Sequence, residues 1–469
     1  MADNRRTGIW QKIRSHRLYG WPALVYVLLS FVLALAFQLG DLVTTSWHSY
    51  QLLECLFNGQ VGNFYLECSR GVMGGAAYEL PIYIVFGLWN LPIFLINKIA
   101  GWNPQAGVIA YWSKFLLGLL LLLTARLVGQ IIRDLDLGQK LEEHGQDLFL
   151  TAPLAYFSIV LLGCYDIFAV FLTLLGIHYL LRERRGLFLL ALALASCFKY
   201  FALLAFLPLL LLTEKRPWPL LRSLVAVCAL PALFWSLSRC MPGWTCYAGF
   251  PGGTLGRIGA VTYDVGLSAP GSWFAAVFFL ICLLAYAYQP PAREVRQRFI
   301  LYIPLVIYAA FFLLTPWHAQ WTILLSPYLV LHVLFFPDRR RALLWTEALL
   351  FVAFAGLCLG VHGINEQLIN MCSAVSYLLN LDKLQSFTVS SQQFLQSQPL
   401  ALSLLLSLFS ATLVAFCALS LPPLEKRAIL RQQPPLTLTA KACRFAVILV
   451  FVIPAAACFI GSYLLRPGR

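Results

Sequence analysis

The sequence predicts an all-α polytopic membrane protein, and three observations carry that reading. Apolar side chains make up 60% of the chain and charged ones only 12%, against about a quarter charged in soluble domains. Apolar runs of spanning length, roughly twenty residues each, recur from end to end. The runs are continuous rather than alternating, which excludes a β-barrel.

Charge sets the topology. The chain carries 34 basic and 20 acidic residues, a net +14. The basic residues sit in short clusters between apolar runs, so they mark cytoplasmic connectors, and no nucleic-acid partner is expected. The tail carries Arg5, Arg6, Lys12, Arg14 and Arg17, which puts the N-terminus in the cytoplasm. The first span, about 21–40, exits outward. Ala34-Leu35-Ala36 has the form of a signal-peptidase site, but the apolar run continues past it, so the span is read as uncleaved.

Later clusters follow in order: Arg126/Arg133/Lys140, Arg182/Arg184/Arg185, Lys215/Arg216/Arg222, Arg293/Arg296/Arg298, Arg339/Arg340/Arg341 and Lys426/Arg427/Arg431/Lys441/Arg444. If the apolar stretch 80–96 crossed the membrane, each of these would move outside. The charge bias rejects that. The stretch is also broken by Pro81, Asn90 and Pro92, so it reads as a juxtamembrane helix on the outer surface.

The remaining spans read as 111–132, 148–163, 167–181, 187–199, 201–213, 220–238, 272–290, 299–315, 322–336, 344–361, 400–420 and 445–464. With the first they make about thirteen transmembrane helices, and the C-terminus lies outside. Large outer loops fall at 41–110, 239–271 and 362–399. Residues 1–335 are expected to form the catalytic module, and 336–469 additional C-terminal helices.

With no soluble domain evident, chemistry is expected from outer loops and span ends. Asp41 stands where the first apolar run ends. A solvated helix-end carboxylate is the plainer reading; ionisable groups at membrane depth are functional candidates by default. A polar-aromatic loop follows it, with Trp47, His48 and Tyr50, then Phe57-Asn58-Gly59-Gln60 and Asn63-Phe64-Tyr65. Such surfaces suit sugars, which present apolar faces and many hydroxyls.

Tyr165 and Asp166 lie in the short outer turn Gly163-Cys164-Tyr165-Asp166. Asp favours turns for purely local reasons. This turn joins two spans that must pack closely, so Asp166 is expected to face the same cavity as Asp41. Two carboxylates at one face can divide roles between base and metal or hydroxyl binding. Lys199, in Phe198-Lys199-Tyr200-Phe201, either snorkels to the interface or serves as a point-charge partner for phosphate. The turn Pro316-Trp317-His318-Ala319-Gln320-Trp321 and the loop holding Arg239 and Arg257 supply further candidates. Its tryptophans also fit an interfacial belt.

The thirteen cysteines form no CxxC pair, so no cysteine metal site is indicated. Cys55 with Cys68, and Cys240 with Cys246, share outer loops and are either bridged or reduced.

These residues in this order resemble the GT-C superfamily of integral-membrane glycosyltransferases, particularly the bacterial polyprenyl-phosphate-sugar-dependent, mannosyltransferase-like group. The carriers are the acidic residue after the first span, a long first outer loop and the Gly-Cys-Tyr-Asp turn. They continue with Arg-Glu-Arg-Arg, Phe-Lys-Tyr-Phe, Glu-Lys-Arg-Pro-Trp and Trp-His-Ala-Gln-Trp. The resemblance spans most of 20–335. It implies a GT-C-like bundle with juxtamembrane helices in the first outer loop, and inverting sugar transfer on the extracytoplasmic face of the plasma membrane. Asp41 matches the first-loop acid, Asp166 the second-loop acid, and Lys199 the lysine after the fifth span.

The expected partners are a polyprenyl-phosphate-linked sugar, a glycan or lipid-linked acceptor, and membrane lipids. Asp41 is expected as the base, and Asp166 as the group that orients acceptor or loop. Lys199 and Arg257 are expected on the donor phosphate. Trp47, His48, Tyr50, Tyr165, His318 and Gln320 are expected along sugar or acceptor. Many relatives carry paired acids in loop one, whereas Asp41 stands alone with Glu54 distant; a divalent metal is left open. The competing reading is a transporter or lipid-linked-sugar flippase. It calls for midplane charges and repeated halves, and neither is evident in the sequence.

Overall fold

The computed structural model describes residues 21–36, 39–135, 137, 139–244, 256–264, 266, 270–358, 360 and 393–422. They are mostly helical, with almost no sheet. The expected span 445–464, most of the outer loop 362–399 and Cys246 lie outside the described residues.

The helices are α1 Trp21–Ala36, α2 Gly40–Phe57, α3 Phe64–Arg70, α4 Leu80–Ala100, α5 Ala106–Asp134, α6 Gln139–Leu150, α7 Pro153–Tyr156 and α8 Ile167–Leu181. They continue as α9 Arg185–Phe198, α10 Phe201–Thr213, α11 Pro217–Arg239, α12 Trp273–Ala287, α13 Arg293–Leu314, α14 Ser326–Phe335, α15 Arg340–Leu357 and α16 Pro399–Leu419. A two-stranded antiparallel ribbon, Thr262–Tyr263 with Gly271–Ser272, precedes α12. Five helices are long and apolar enough to cross a membrane: α4, α5, α11, α13 and α16. A sixth span results if Ala319–Phe335 and Pro337–Leu357, bent by 105°, are counted as one. Shorter apolar helices include α8, α9, α10 and α12.

Side-chain ties divide the helix ends into two sets. At one end, Arg182 donates to Asp134 at 2.7 and 2.9 Å, joining the ends of α5 and α8. Arg185 and Arg216 both pair with Glu214. Lys215 donates to the carbonyls of Ala285 and Tyr286, and Arg296 to Glu183 at 2.6 Å. Arg339 reaches the carbonyl of Leu419. The basic connectors between apolar runs therefore meet at a common end. The opposite end gathers Asp41, Tyr78, Tyr165, Asp166 and Lys199.

Three stretches differ from the sequence expectation; one, 322–336, begins as a 3-10 turn ending at Leu324 before α14 starts at Ser326. The polar-aromatic stretch after Asp41 is not a loop but helix α2, whose buried residues include Leu42, Thr45, Ser46, His48, Ser49, Leu52 and Leu53. Spacings of three and four among them make a helical face. Its Thr, Ser and aromatic content hid the period, because such residues have mediocre intrinsic propensity. The stretch 148–163 is not one continuous helix. α6 stops at Leu150, and α7 restarts with Pro153 in its first turn, where the missing N–H costs nothing. A π-helical turn, Phe157–Leu161, then leads to Gly163. Ile167–Leu181 and Phe201–Thr213 match the expected bounds.

α4 spans enough length to cross a bilayer, yet its partners cluster at the Asp41 end. Leu80 N donates to Ser238 Oγ near the end of α11. Phe86 packs on Tyr165 and Phe168 at the start of α8, and Asn90 accepts from Ser113 early in α5. α2 lies alongside it: Ser49 accepts from Asn90 at 2.9 Å, and Lys98 pairs with Glu54 at 2.7 Å. α2 and α4 thus pack along each other beside the start of α5. Cys55 and Cys68 are both buried free thiols within that region.

Candidate functional site

Local geometry brings four separate stretches together. α1 ends beside the π-turn, where Leu39 N donates to the carbonyl of Leu162 at 3.1 Å. Asp41 then falls in the first turn of α2, where a carboxylate suits the helix dipole. Gly163 holds φ at +73°, and a Cβ there would meet Leu42 at 2.7 Å and the Lys114 side chain at 2.9 Å. Only glycine fits so close an approach in that conformation. Lys114 donates to the carbonyls of Ala34 and Leu161, both at 2.9 Å. It ties the end of α1 to the end of the π-turn and so fixes where the next residues emerge.

Those next residues are Cys164, Tyr165 and Asp166. The Tyr165 hydroxyl donates to Asp41 Oδ2 at 2.7 Å. A second phenol, Tyr78, donates to the same oxygen at 3.1 Å and lies 3.4 Å from Oδ1. Asp41 is half-buried. Its Oδ2 is therefore well held, and Oδ1 is the more weakly engaged oxygen.

Asp166 is the residue before α8, but its side chain makes no capping bond. It pairs instead with Lys199 Nζ at 3.1 Å, the side chains being 3% and 15% exposed. Asp166 Oδ2 is buried and has no hydrogen-bond partner among the described residues. The Lys199 ammonium also lies 4.5 Å from the Tyr78 ring centre and 5.2 Å from that of Tyr165, close enough for cation–π attraction. The two phenols that hold Asp41 thus also cradle Lys199.

Electrostatics follow from that packing. Burial raises the Asp166 carboxyl above its ordinary value, with Lys199 pulling the other way. Burial works against the Lys199 charge, but Asp166, Tyr78 and Asp41 outweigh it and hold its pKa above the ordinary lysine value. Lys199 is thus a cation shared by two carboxylates.

A second brace lies one residue further along each chain. Tyr200 donates to Glu79 Oε1 at 2.9 Å, so Tyr78-Glu79 and Lys199-Tyr200 are cross-linked pair to pair. Tyr78 N donates to the hydroxyl of Tyr83, and Tyr65 donates to the carbonyl of Tyr78. His48 Nε2 bonds the carbonyl of Gly74 at 2.9 Å. Because a carbonyl only accepts, Nε2 carries the proton. Burial lowers the His48 pKa. His48 therefore anchors the glycine-containing segment that delivers Tyr78.

The remaining candidates sort into two further groups. Trp47 stacks on Tyr50, and Tyr50 packs its edge on Phe94. Both belong to a small cluster with Leu53, Ile93 and Ile109 that joins α2 to α4 and α5. The structure does not bring them to Asp41. Arg257 Nη2 donates to His318 Nε2 at 2.7 Å, which puts the imidazole proton on Nδ1. The guanidinium lies 5.1 Å from the Trp321 ring, which meets Phe201 edge-on at 4.9 Å. Phe201 directly follows Tyr200, so this cluster sits beside the Lys199 connector. Arg257 and Gln320 are half-buried and His318 is exposed.

Sequence reasoning missed Tyr78, Glu79, Tyr200 and Lys114. The only visible signal for Tyr78 was its position between Gly74-Gly75 and the helix start at Pro81. Among the described residues, no group of three or more His, Cys, Asp and Glu side chains is placed to hold a metal ion. Comparison of the chain with protein-family models, curated proteins and solved structures finds no match.

Proposed function

We propose that this chain is an inverting glycosyltransferase. It moves a sugar from a polyprenyl-phosphate donor to a hydroxyl of an extracytoplasmic glycan or lipid-linked acceptor. The observation that carries the reading is the paired-carboxylate cluster: Asp41 steadied by two phenols, beside Asp166 and a shared Lys199. A positioned carboxylate with one lightly engaged oxygen suits general-base work.

In this reading Asp41 Oδ1 takes the proton of the acceptor hydroxyl. The freed oxygen lone pair attacks the anomeric carbon from the face opposite the phosphate. The bond from that carbon to the phosphate oxygen breaks, and its electron pair stays with the departing polyprenyl phosphate. Lys199 and Arg257 offset the charge that develops there, the kind of term that dominates many enzymes. The second cluster supports this: Arg257, fixed by His318 and Trp321, adjoins the Lys199 connector. Tyr165 and Gln320 remain candidates for sugar contacts. Trp47 and Tyr50 act in this reading through packing, and His48 through its bond to the Gly74 carbonyl.

The setting belongs to the proposal too. A GT-C-like bundle of about thirteen spans, with α2 and α4 as juxtamembrane helices, places the cluster at the outer face of the plasma membrane. Apolar residues exposed on α11, such as Leu221, Val225 and Leu233, then face lipid. The test is sugar transfer from a synthetic polyprenyl-phosphate sugar by purified protein. Vectorial movement of the lipid-linked sugar in proteoliposomes, with no glycosidic bond formed, would instead favour the flippase reading.

A further inference from the structure

We infer that binding of an anionic phosphodiester beside Lys199 is coupled to uptake of one proton by Asp166. This rests on the proposed donor site. Its physical basis is charge counting in a buried cluster. Asp41 and Asp166 share one cation, Lys199, so the three groups carry a net −1. A phosphodiester adds another negative charge, so three anionic groups then draw on the one ammonium buried beside Asp166; Arg257, bonded to His318, is not paired with Asp166. Uncompensated charge in so poorly hydrated a place is costly, and such sites neutralise by taking a proton.

Asp166 is the group that takes it. Asp41 Oδ2 accepts two phenolic hydrogen bonds, which stabilise its anion. Asp166 Oδ2 is buried with no partner among the described residues, so its anion leans on Lys199 alone for a charge partner. Once a phosphate draws on the same ammonium, that support weakens. The groups facing Asp166 are Lys199, Asp41, Cys164, Tyr165 and Tyr78. Lys114, near Gly163, is committed to the carbonyls of Ala34 and Leu161. Cys164 and both tyrosines have pKa values pushed above their ordinary range by burial, and none of the three supplies positive charge. One proton moves from water onto Asp166 Oδ2, and no other bond changes.

The sign follows from linkage. The Asp166 carboxyl pKa is higher with phosphate bound than without. Affinity is therefore greatest at low pH and is lost as pH rises through the bound-state pKa, by at most about tenfold per pH unit for one proton.

The experiment uses the full chain in detergent and farnesyl methyl phosphate. This phosphodiester has an isoprenoid tail, no transferable sugar, and no titration of its own near neutrality. Calorimetry in PIPES and in Tris, buffers of different ionisation enthalpy, reads the protons taken up per molecule bound. Uptake approaching one proton, with affinity falling as pH rises, is expected for the wild type. In Asp166→Asn, uptake is lost, affinity is pH-independent, and binding is tighter because Lys199 is shared with one carboxylate instead of two. Binding without proton uptake in the wild type overturns this inference and leaves the donor reading standing. Uptake that persists in a folded Asp166→Asn protein overturns the assignment to Asp166. No binding at all overturns the donor reading as well. Should Asp166→Asn not fold, the wild-type comparison between buffers still decides.

Discussion

Replacing Asp41 by Asn tests the proposed chemistry most directly. The change preserves shape and removes the charge and the basic carboxylate lone pairs. Two phenols donate to Asp41 Oδ2, at 2.7 and 3.1 Å. An amide offers one carbonyl oxygen, which can still accept from both, but as a neutral acceptor. A hydrogen bond to a charged group contributes about 1.5–3 kcal/mol and a neutral one about 1 kcal/mol. The expected loss of stability is thus about 1–4 kcal/mol over the two bonds. A further change follows from the cluster's charge: Lys199 keeps Asp166 at 3.1 Å but loses its second carboxylate neighbour, so phosphate affinity holds or rises. Turnover, in contrast, loses its base and should fall by roughly 10²–10⁴-fold. The assay is sugar transfer from a synthetic polyprenyl-phosphate donor by purified wild type and variant, with donor binding measured alongside. Equal transfer rates in two well-folded proteins would remove Asp41 from the mechanism and make Asp166 the next candidate. A variant that binds no donor would instead show that Asp41 acts in binding.

Other outcomes follow from the same geometry. Lys199→Met should weaken donor binding and slow transfer while the helices on either side keep their packing; unchanged binding, measured with a fluorescent polyprenyl phosphate, would leave Lys199 a structural counterion. Gly163→Ala forces a side chain into φ +73° and against Leu42 and Lys114, so the thermal midpoint should fall, with at least about 1–2 kcal/mol lost from the backbone term alone. Tyr200→Phe removes the bond to Glu79 and should cost about 1 kcal/mol of stability, a loss absent when Glu79 is already Ala if the pair is the whole effect. Single cysteines at the exposed positions Asn58 and Asn103 should react with an impermeant thiol reagent from outside intact cells, whereas one at Glu143 should react only after permeabilisation. Labelling of Asn103 from the inside alone would mean that α4 crosses the bilayer.

What the sequence made legible was whatever depends on neighbours along the chain. Phe201–Thr213 could be bounded because its apolar run starts after Lys199-Tyr200 and ends before Glu214-Lys215. Asp166 and Lys199 could be placed at one end because short connectors leave little choice of where span ends lie. Helix α2 was harder, since Ser, Thr and His stand on its buried face, where an apolar period would have announced it. Trp47 and Tyr50 show the converse error. Aromatic side chains beside a carboxylate looked like sugar surface, but a helix turns about 100° per residue. That rotation carries positions 47 and 50 onto the face that meets α4.

Tyr78 was beyond sequence reasoning for a physical reason. Its value lies in three contacts across the fold: the Asp41 carboxylate 37 residues away, the Lys199 ammonium and the Tyr65 hydroxyl on its carbonyl. None of these leaves a local trace. What can be argued from them is a division of labour. Tyr78 and Tyr165 each touch both charged partners, donating to Asp41 and lying against Lys199. A phenol suits that double duty, because its hydroxyl stabilises an anion while its ring face attracts a cation. The pair keeps Asp41 and Lys199 near each other without letting them form a direct ion pair, which would have tied up the oxygen that the proposed base needs.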